Sequence, residues 1–163
     1  MKVPDPETMR ADYLAHLQPH VAEPILAIGF LSPAGMMGTY AKEHAAGNAL
    51  RLVSPLAAWA FRGRKATQHV ESPTVTQLVA VGMTTVSLFP YPTGVPFAIN
   101  AAPTVWLRSD VRATADQPGR ASQGIHVDLR NGEHHDFEIA KSGKQWGGWS
   151  DAMRDLLCQP VSA

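Results

Sequence analysis

Residues 123–139 read QGIHVDLRNGEHHDFEI, and the way this stretch pairs with itself sets the strand arrangement of the whole chain. Ile125, Val127 and Leu129 alternate with His126 and Asp128, Asn131-Gly132 turns the chain, and His135, Phe137 and Ile139 alternate again. Period-two alternation on both sides of Asn-Gly is a strong hairpin signal. Two registers compete. A two-residue loop at Asn131-Gly132 would set Leu129 opposite His134 and Val127 opposite Asp136, mixing apolar and charged groups on each face. A three-residue loop (Arg130 to Gly132, with Gly132 left-handed in a G1 bulge) pairs Ile125 with Phe137 and Val127 with His135. The second register gathers the apolar side chains on one face, and burial of one face is what fixes register. It is the expected one. The outer face then sets His126 opposite Asp136 and Asp128 opposite His134, with Glu138 alongside.

Working outward, Thr104–Leu107 and Val111–Ala115 are strand candidates kinked around Ser109-Asp110, and Gln117-Pro118-Gly119 turns into the hairpin. Upstream, Gln77–Val81 and Val86–Phe89 flank a turn at Gly82–Thr85. Pro90, Pro92 and Pro96 then make an irregular connection, because proline cannot donate within a ladder. Phe97–Asn100 reads as a short edge strand. The first strand is Pro24–Leu31, an apolar run ended by Ser32-Pro33.

Helices are expected at both ends. Asp5 is a carboxylate N-cap before Pro6 and Glu7, so a helix over 6–18 follows, with Met9, Tyr13, Leu14 and Leu17 on its packing face. Ser150 is expected to cap a helix over 150–158, whose Met153, Leu156 and Leu157 plug one end of the sheet. Trp146 and Trp149 flank paired glycines and read as a staple onto that helix. Residues 34–73 read as a partly helical insertion. Gly38, Ala41, Ala45 and Ala49 form a small-residue stripe, and Trp59 and Phe61 lie beside Arg62, Arg64 and Lys65. Aromatics next to basic residues suit a partner protein, a second copy of the chain, or an anionic bilayer surface.

The chain has 163 residues, 45% of them hydrophobic and 17% charged, which supports one domain with its own core and a rather neutral surface. Its formal net charge of zero argues against a nucleic-acid partner. Cys158 is the single cysteine, which excludes an intramolecular disulfide and fits a reducing cytoplasm. The start of the chain lacks an apolar segment behind basic residues, and the chain has no apolar run long enough for a membrane span. A cytoplasmic protein, with peripheral membrane contact as an extension of that reading, is therefore expected.

The order of elements resembles that of the pleckstrin-homology (PH) superfold: six or seven short antiparallel strands closing a β-barrel, then one capping helix. The likeness is carried by Leu78–Val81 through Val86–Phe89, by Trp106-Leu107-Arg108-Ser109-Asp110-Val111, by Ile125 to Phe137 and by the Met153-Leu156-Leu157 helix. It is similar to GRAM and bacterial PH-like domains, and more narrowly to small uncharacterised actinobacterial proteins. The resemblance covers residues 24–31 and 74–158. It implies a non-catalytic platform that binds lipid headgroups, peptides or proteins. In this chain the long 34–73 segment replaces the loop in which lipid-binding members concentrate basic residues, leaving Arg62, Arg64 and Lys65 as the cationic group. The turn after Val81 is Gly82-Met83-Thr84-Thr85, where the family commonly has Thr-Asn or Thr-Asp.

The remaining chemistry centres on the hairpin. His126, Asp128, His134 and Asp136 lie close enough across the strands to share a zinc or harder transition ion, giving a small-ligand or metal-dependent activity as the alternative function. The plainer reading is two opposite-charge pairs on a solvated face. Ser54, Ser72, Ser87 and Ser109 lack the Gly-x-Ser-x-Gly elbow, and no glycine cluster has phosphate-loop spacing, so neither a catalytic residue nor a cofactor is assigned.

Overall fold

The computed structural model describes residues 5–36, 76–90, 99, 101–119, 122–140 and 148–161. Helix α1 (Pro6–Leu17) leads through a 3-10 turn (Gln18–His20) to β1 (Ala27–Pro33). After it come β2 (Gln77–Val81), β3 (Thr85–Pro90), β4 (Thr104–Leu107), a second 3-10 turn (Arg108–Asp110), β5 (Val111–Ala115), β6 (Ser122–Leu129), β7 (His134–Ala140) and α2 (Trp149–Cys158). The strands form one antiparallel sheet in the order β4-β3-β2-β1-β7-β6-β5. Strand β1 joins its halves: Ala27 to Leu31 ladder with β2, and Ser32 and Pro33 with β7.

The last hairpin takes the three-residue loop. Ile125 pairs with Phe137, Val127 with His135, His126 with Asp136 and Asp128 with His134. Gly132 has φ +93°, and the Leu129 amide donates to Glu133 O at 2.8 Å while Gly132 N donates back to Leu129 O at 2.9 Å. Glycine reaches this left-handed conformation without a Cβ penalty.

Alternation then decides the core. Ile125, Val127, Phe137 and Ile139 are all buried and pack with Leu31, Val79, Val81, Val86 and Leu88 between the two halves of the sheet. A second cluster lies on the other side of β2, where Leu78, Ala80, Phe89 and Ile28 meet Leu17 of α1 and Trp149 of α2. Strand β2 is thus buried on both faces, which explains why Leu78–Val81 is a continuous rather than alternating apolar run. Each fully buried aliphatic side chain contributes about 1.5–3 kcal/mol of transfer free energy.

Helix α1 begins as expected. Asp5 Oδ1 accepts from the amides of Glu7 and Thr8, both at 3.1 Å, and Oδ2 accepts from the Thr8 hydroxyl at 2.6 Å. Its Met9, Tyr13 and Leu14 pack on the second cluster, so the apolar stripe is a core face, and Tyr13 meets the rings of Phe30 and Trp149 edge-on.

Three expectations about architecture need restating. Among the described residues the sheet does not close, so a barrel is not confirmed. Strands β4 and β5 are its two outermost members, and among the described residues no ladder joins them. The 3-10 turn between them carries the chain from one edge to the other, and α2 fills that side, with Met153 and Leu157 in the core and Leu156 partly buried against it. Arg108 of that turn fixes the arrangement, its guanidinium donating to Leu156 O at 2.9 Å and to Gly82 O at 3.2 Å. A cation at the carbonyl end of a helix also complements the helix dipole.

The first strand begins at Ala27 rather than Pro24 and runs on to Pro33. Ser150 is not the N-cap of α2. The cap is Gly148, at φ +74°, and Ser150 sits inside the first turn. Its hydroxyl instead accepts the Phe30 amide at 3.1 Å, at a point of β1 that precedes the ladder to β7. The helix approaches so closely that a Cβ at Gly29 would lie 2.9 Å from Ser150 Cα and 3.0 Å from Met153 Cβ. The insertion over 34–73 falls outside the described residues beyond position 36, as does all of Phe97–Asn100 except Ile99.

Candidate functional site

The outward face of β5, β6 and β7 carries an unbroken row of ionisable groups. Because side chains alternate across a strand, the register that buries Ile125 and Phe137 necessarily turns His126, Asp128, His134 and Asp136 outward together. Asp136 Oδ1 lies 2.6 Å from His126 Nδ1 and 2.9 Å from His134 Nε2. The outer nitrogens are engaged too: His126 Nε2 is 3.1 Å from Asp116 Oδ2, and His134 Nδ1 is 2.7 Å from Asp128 Oδ1. The two imidazoles stack with an interplanar angle of 11° and centroids 6.2 Å apart. The order along the row is carboxylate, imidazole, carboxylate, imidazole, carboxylate.

Electrostatics follow from this order. The hydrogen bond to Asp136, then that to Asp116, raises the pKa of His126 above its ordinary value. His134 is raised first by its hydrogen bond to Asp128 and next by the charge of Asp136. Asp136 is lowered, mainly by its hydrogen bond to His126. All these groups are substantially exposed, so solvent screens the pairs and each adds little to stability.

Of the four predicted metal ligands, His126, His134 and Asp136 bring ligand atoms within 4.8 Å of one another. Asp128 stands behind His134, on the nitrogen turned away from Asp136. Asp116 was not expected. It follows β5, where its amide donates to Gly124 O at 2.9 Å, and its carboxylate crosses β6 over Gly124 to reach His126. The available signal was a glycine two positions before an outward histidine, where a missing side chain leaves room for a neighbour. A polar thread ties this corner to the terminal helix: Arg154 donates to Gln123 Oε1 at 2.7 Å, and Gln123 Nε2 donates to Asp116 O at 2.6 Å. Glu138, expected beside the row on the solvated face, is buried, with the Ser122 hydroxyl 3.2 Å from Oε2.

Two further contacts lie apart from the row. Glu23 closes the β2–β3 turn, accepting from the amides of Thr84 and Thr85 at 3.1 and 2.7 Å and from both threonine hydroxyls. The Thr85 hydroxyl bond is the main cause of its lowered pKa. On the inner side His135 stacks on Trp106 and Phe137, with centroids 5.3 and 6.0 Å away. Trp59, Phe61, Arg62, Arg64 and Lys65, the expected partner- or membrane-binding group, lie outside the described residues.

No protein-family model matches the chain, and no curated protein matches it. Among the described residues no helix is long and apolar enough to cross a membrane. What the fold and site define is a seven-stranded antiparallel sheet with an N-terminal and a C-terminal helix packed on it and an ordered ionic row on one outer face.

Proposed function

We propose that the protein is a non-catalytic binding module of PH-like kind that engages its partner through outer surfaces. The observation that carries this reading is the sorting of side chains in the last hairpin: Ile125, Val127, Phe137 and Ile139 fill the interior, while His126, Asp128, His134 and Asp136 gather outside and pair with one another. Strand β1, shared between the sheet halves, and the terminal helix packed across their open side are what a PH-like scaffold would require.

The state of the reactive groups supports a binding role. Burial pushes the Cys158 thiol up, opposite to the shift that activates a nucleophile. Both nitrogens of His126 and of His134 are held by carboxylates, an arrangement that favours the charged imidazolium over a free general base. A cytoplasmic setting accords with the single unpaired cysteine.

The contact surface is assigned, on composition, to residues 34–65, whose Trp59 and Phe61 beside Arg62, Arg64 and Lys65 suit a protein partner, a second copy or an anionic membrane. Light scattering and co-sedimentation with vesicles, with and without anionic lipid, test it on the full chain and on a 36–65 deletion. Association by the full chain that the deletion abolishes, with the hairpin resonances unchanged, supports the assignment. Association that survives the deletion contradicts it.

A further inference from the structure

We infer that the outer face of β6 and β7 binds a divalent first-row transition ion through His126 Nδ1, His134 Nε2 and a carboxylate oxygen of Asp136. This goes beyond the proposed binding role and does not depend on it.

The inner nitrogens of two imidazoles converge on one carboxylate oxygen, at 2.6 and 2.9 Å. Two imidazoles with one carboxylate suit borderline ions such as zinc or cobalt, whereas calcium and magnesium prefer oxygen alone. A tetrahedral ion with bonds of about 2.0–2.1 Å holds its ligand atoms about 3.3 Å apart. The Asp136 oxygen would therefore draw back from nitrogens now 2.6 and 2.9 Å away, while the three ligand atoms, now within 4.8 Å of one another, settle to that common spacing. They stand on exposed side chains that are free to make that change.

The outer nitrogens make this row more than a chance pairing. A ligating histidine needs its lone pair toward the ion and its N–H on the far side held by an acceptor, commonly a carboxylate. Asp116 stands at the far nitrogen of His126 and Asp128 at the far nitrogen of His134. An arriving ion would displace the proton on each inner nitrogen, and the N–H left on the far side, facing Asp116 or Asp128, is the one that ligation requires.

Charge points the same way. The ion would replace the two protons that the inner nitrogens hold against Asp136, so its two positive charges would stand where the imidazolium charges stood among the three carboxylates. The backbone is adapted as well, since a Cβ at Gly124 would overlap the Asp116 carboxylate and exclude it from its place behind His126. Three protein donors leave a fourth position for water or a small anionic solute, which marks an open site rather than a closed structural one.

Untagged full-length protein titrated with zinc chloride by calorimetry, and with cobalt chloride followed by visible absorption, tests the inference. One equivalent should bind, and should be lost in the H126A/H134A double variant and in Asp136→Ala. Asp116→Asn and Asp128→Asn should each weaken binding about 10- to 100-fold, as loss of an outer-shell partner does. Long-range nitrogen–proton spectra of the wild-type chain give a readout independent of variant folding. Zinc should move Nδ1 of His126 and Nε2 of His134. Sub-stoichiometric binding, or zinc shifts confined to other histidines such as His16 and His20, would overturn the inference.

Discussion

The carboxylate of Asp116 occupies the space that a side chain at Gly124 would fill. A residue just past one strand thereby reaches across its neighbour and takes the outer nitrogen of His126, 3.1 Å away. The ionic row extends to a third strand position only because residue 124 has no Cβ.

Gly124→Ala should therefore uncouple His126 from Asp116 while leaving the β6–β7 ladder in place. The imidazole pKa of His126, followed by proton NMR, should fall toward its ordinary value of 6.5 while that of His134 stays put. Equal shifts at both histidines would show that the variant had disturbed the strand itself.

The row also sets a pH dependence with a definite sign. Both histidines are raised in the folded chain above 6.5. Their contribution to stability is thus fully present below about 6.5 and is lost as pH rises through the folded values. The difference in Tm between wild type and H126Q/H134Q should be largest near pH 6 and shrink by about pH 9. A difference that grows with pH would contradict the assignment.

Glu23 should act in the opposite sense. Its pKa is depressed from 4.5 by the threonine bonds, so its contribution is present above that value and lost as pH falls through the folded one. Glu23→Ala leaves the Thr84 and Thr85 amides to water and should cost about 1 kcal/mol at neutral pH by chemical denaturation. The loss should vanish in acid.

Close packing of α2 on β1 predicts a larger effect. Gly29→Ala places a methyl against the backbone of Ser150, which cannot yield without moving the helix. A loss of about 1–3 kcal/mol is expected. Ser150→Ala removes only the acceptor for the Phe30 amide and should cost about 1 kcal/mol. If Gly29→Ala proved neutral, the helix would not lie where it is described.

Local chemistry made much of this legible. The period-two pattern around Gly132 specified both partners of every pair in the last hairpin, and Asp5 announced the start of α1 through its own side chain. What escaped were contacts joining distant segments. Glu23 meets Thr85 from 62 positions away, and Ser150 meets Phe30 from 120. A serine before an amphipathic run reads as a cap whether or not a strand amide claims its hydroxyl. Barrel closure was not legible for a similar reason. Strand number is written in alternation, but whether β4 and β5 ladder depends on how the 3-10 turn at Arg108–Asp110 and the terminal helix divide the space between them.

The sorting of apolar groups inward and ionisable groups outward in residues 123–139 underlies the site, the proposed binding role and the metal inference alike. Cross-strand Hα–Hα nuclear Overhauser effects test it most directly, because they are strong only for directly opposed pairs that lack mutual hydrogen bonds. The observed register predicts strong effects between His126 and Asp136 and between Asp128 and His134. Strong effects between Val127 and Asp136 instead would mean the two-residue loop, and would turn the row's histidines away from its carboxylates.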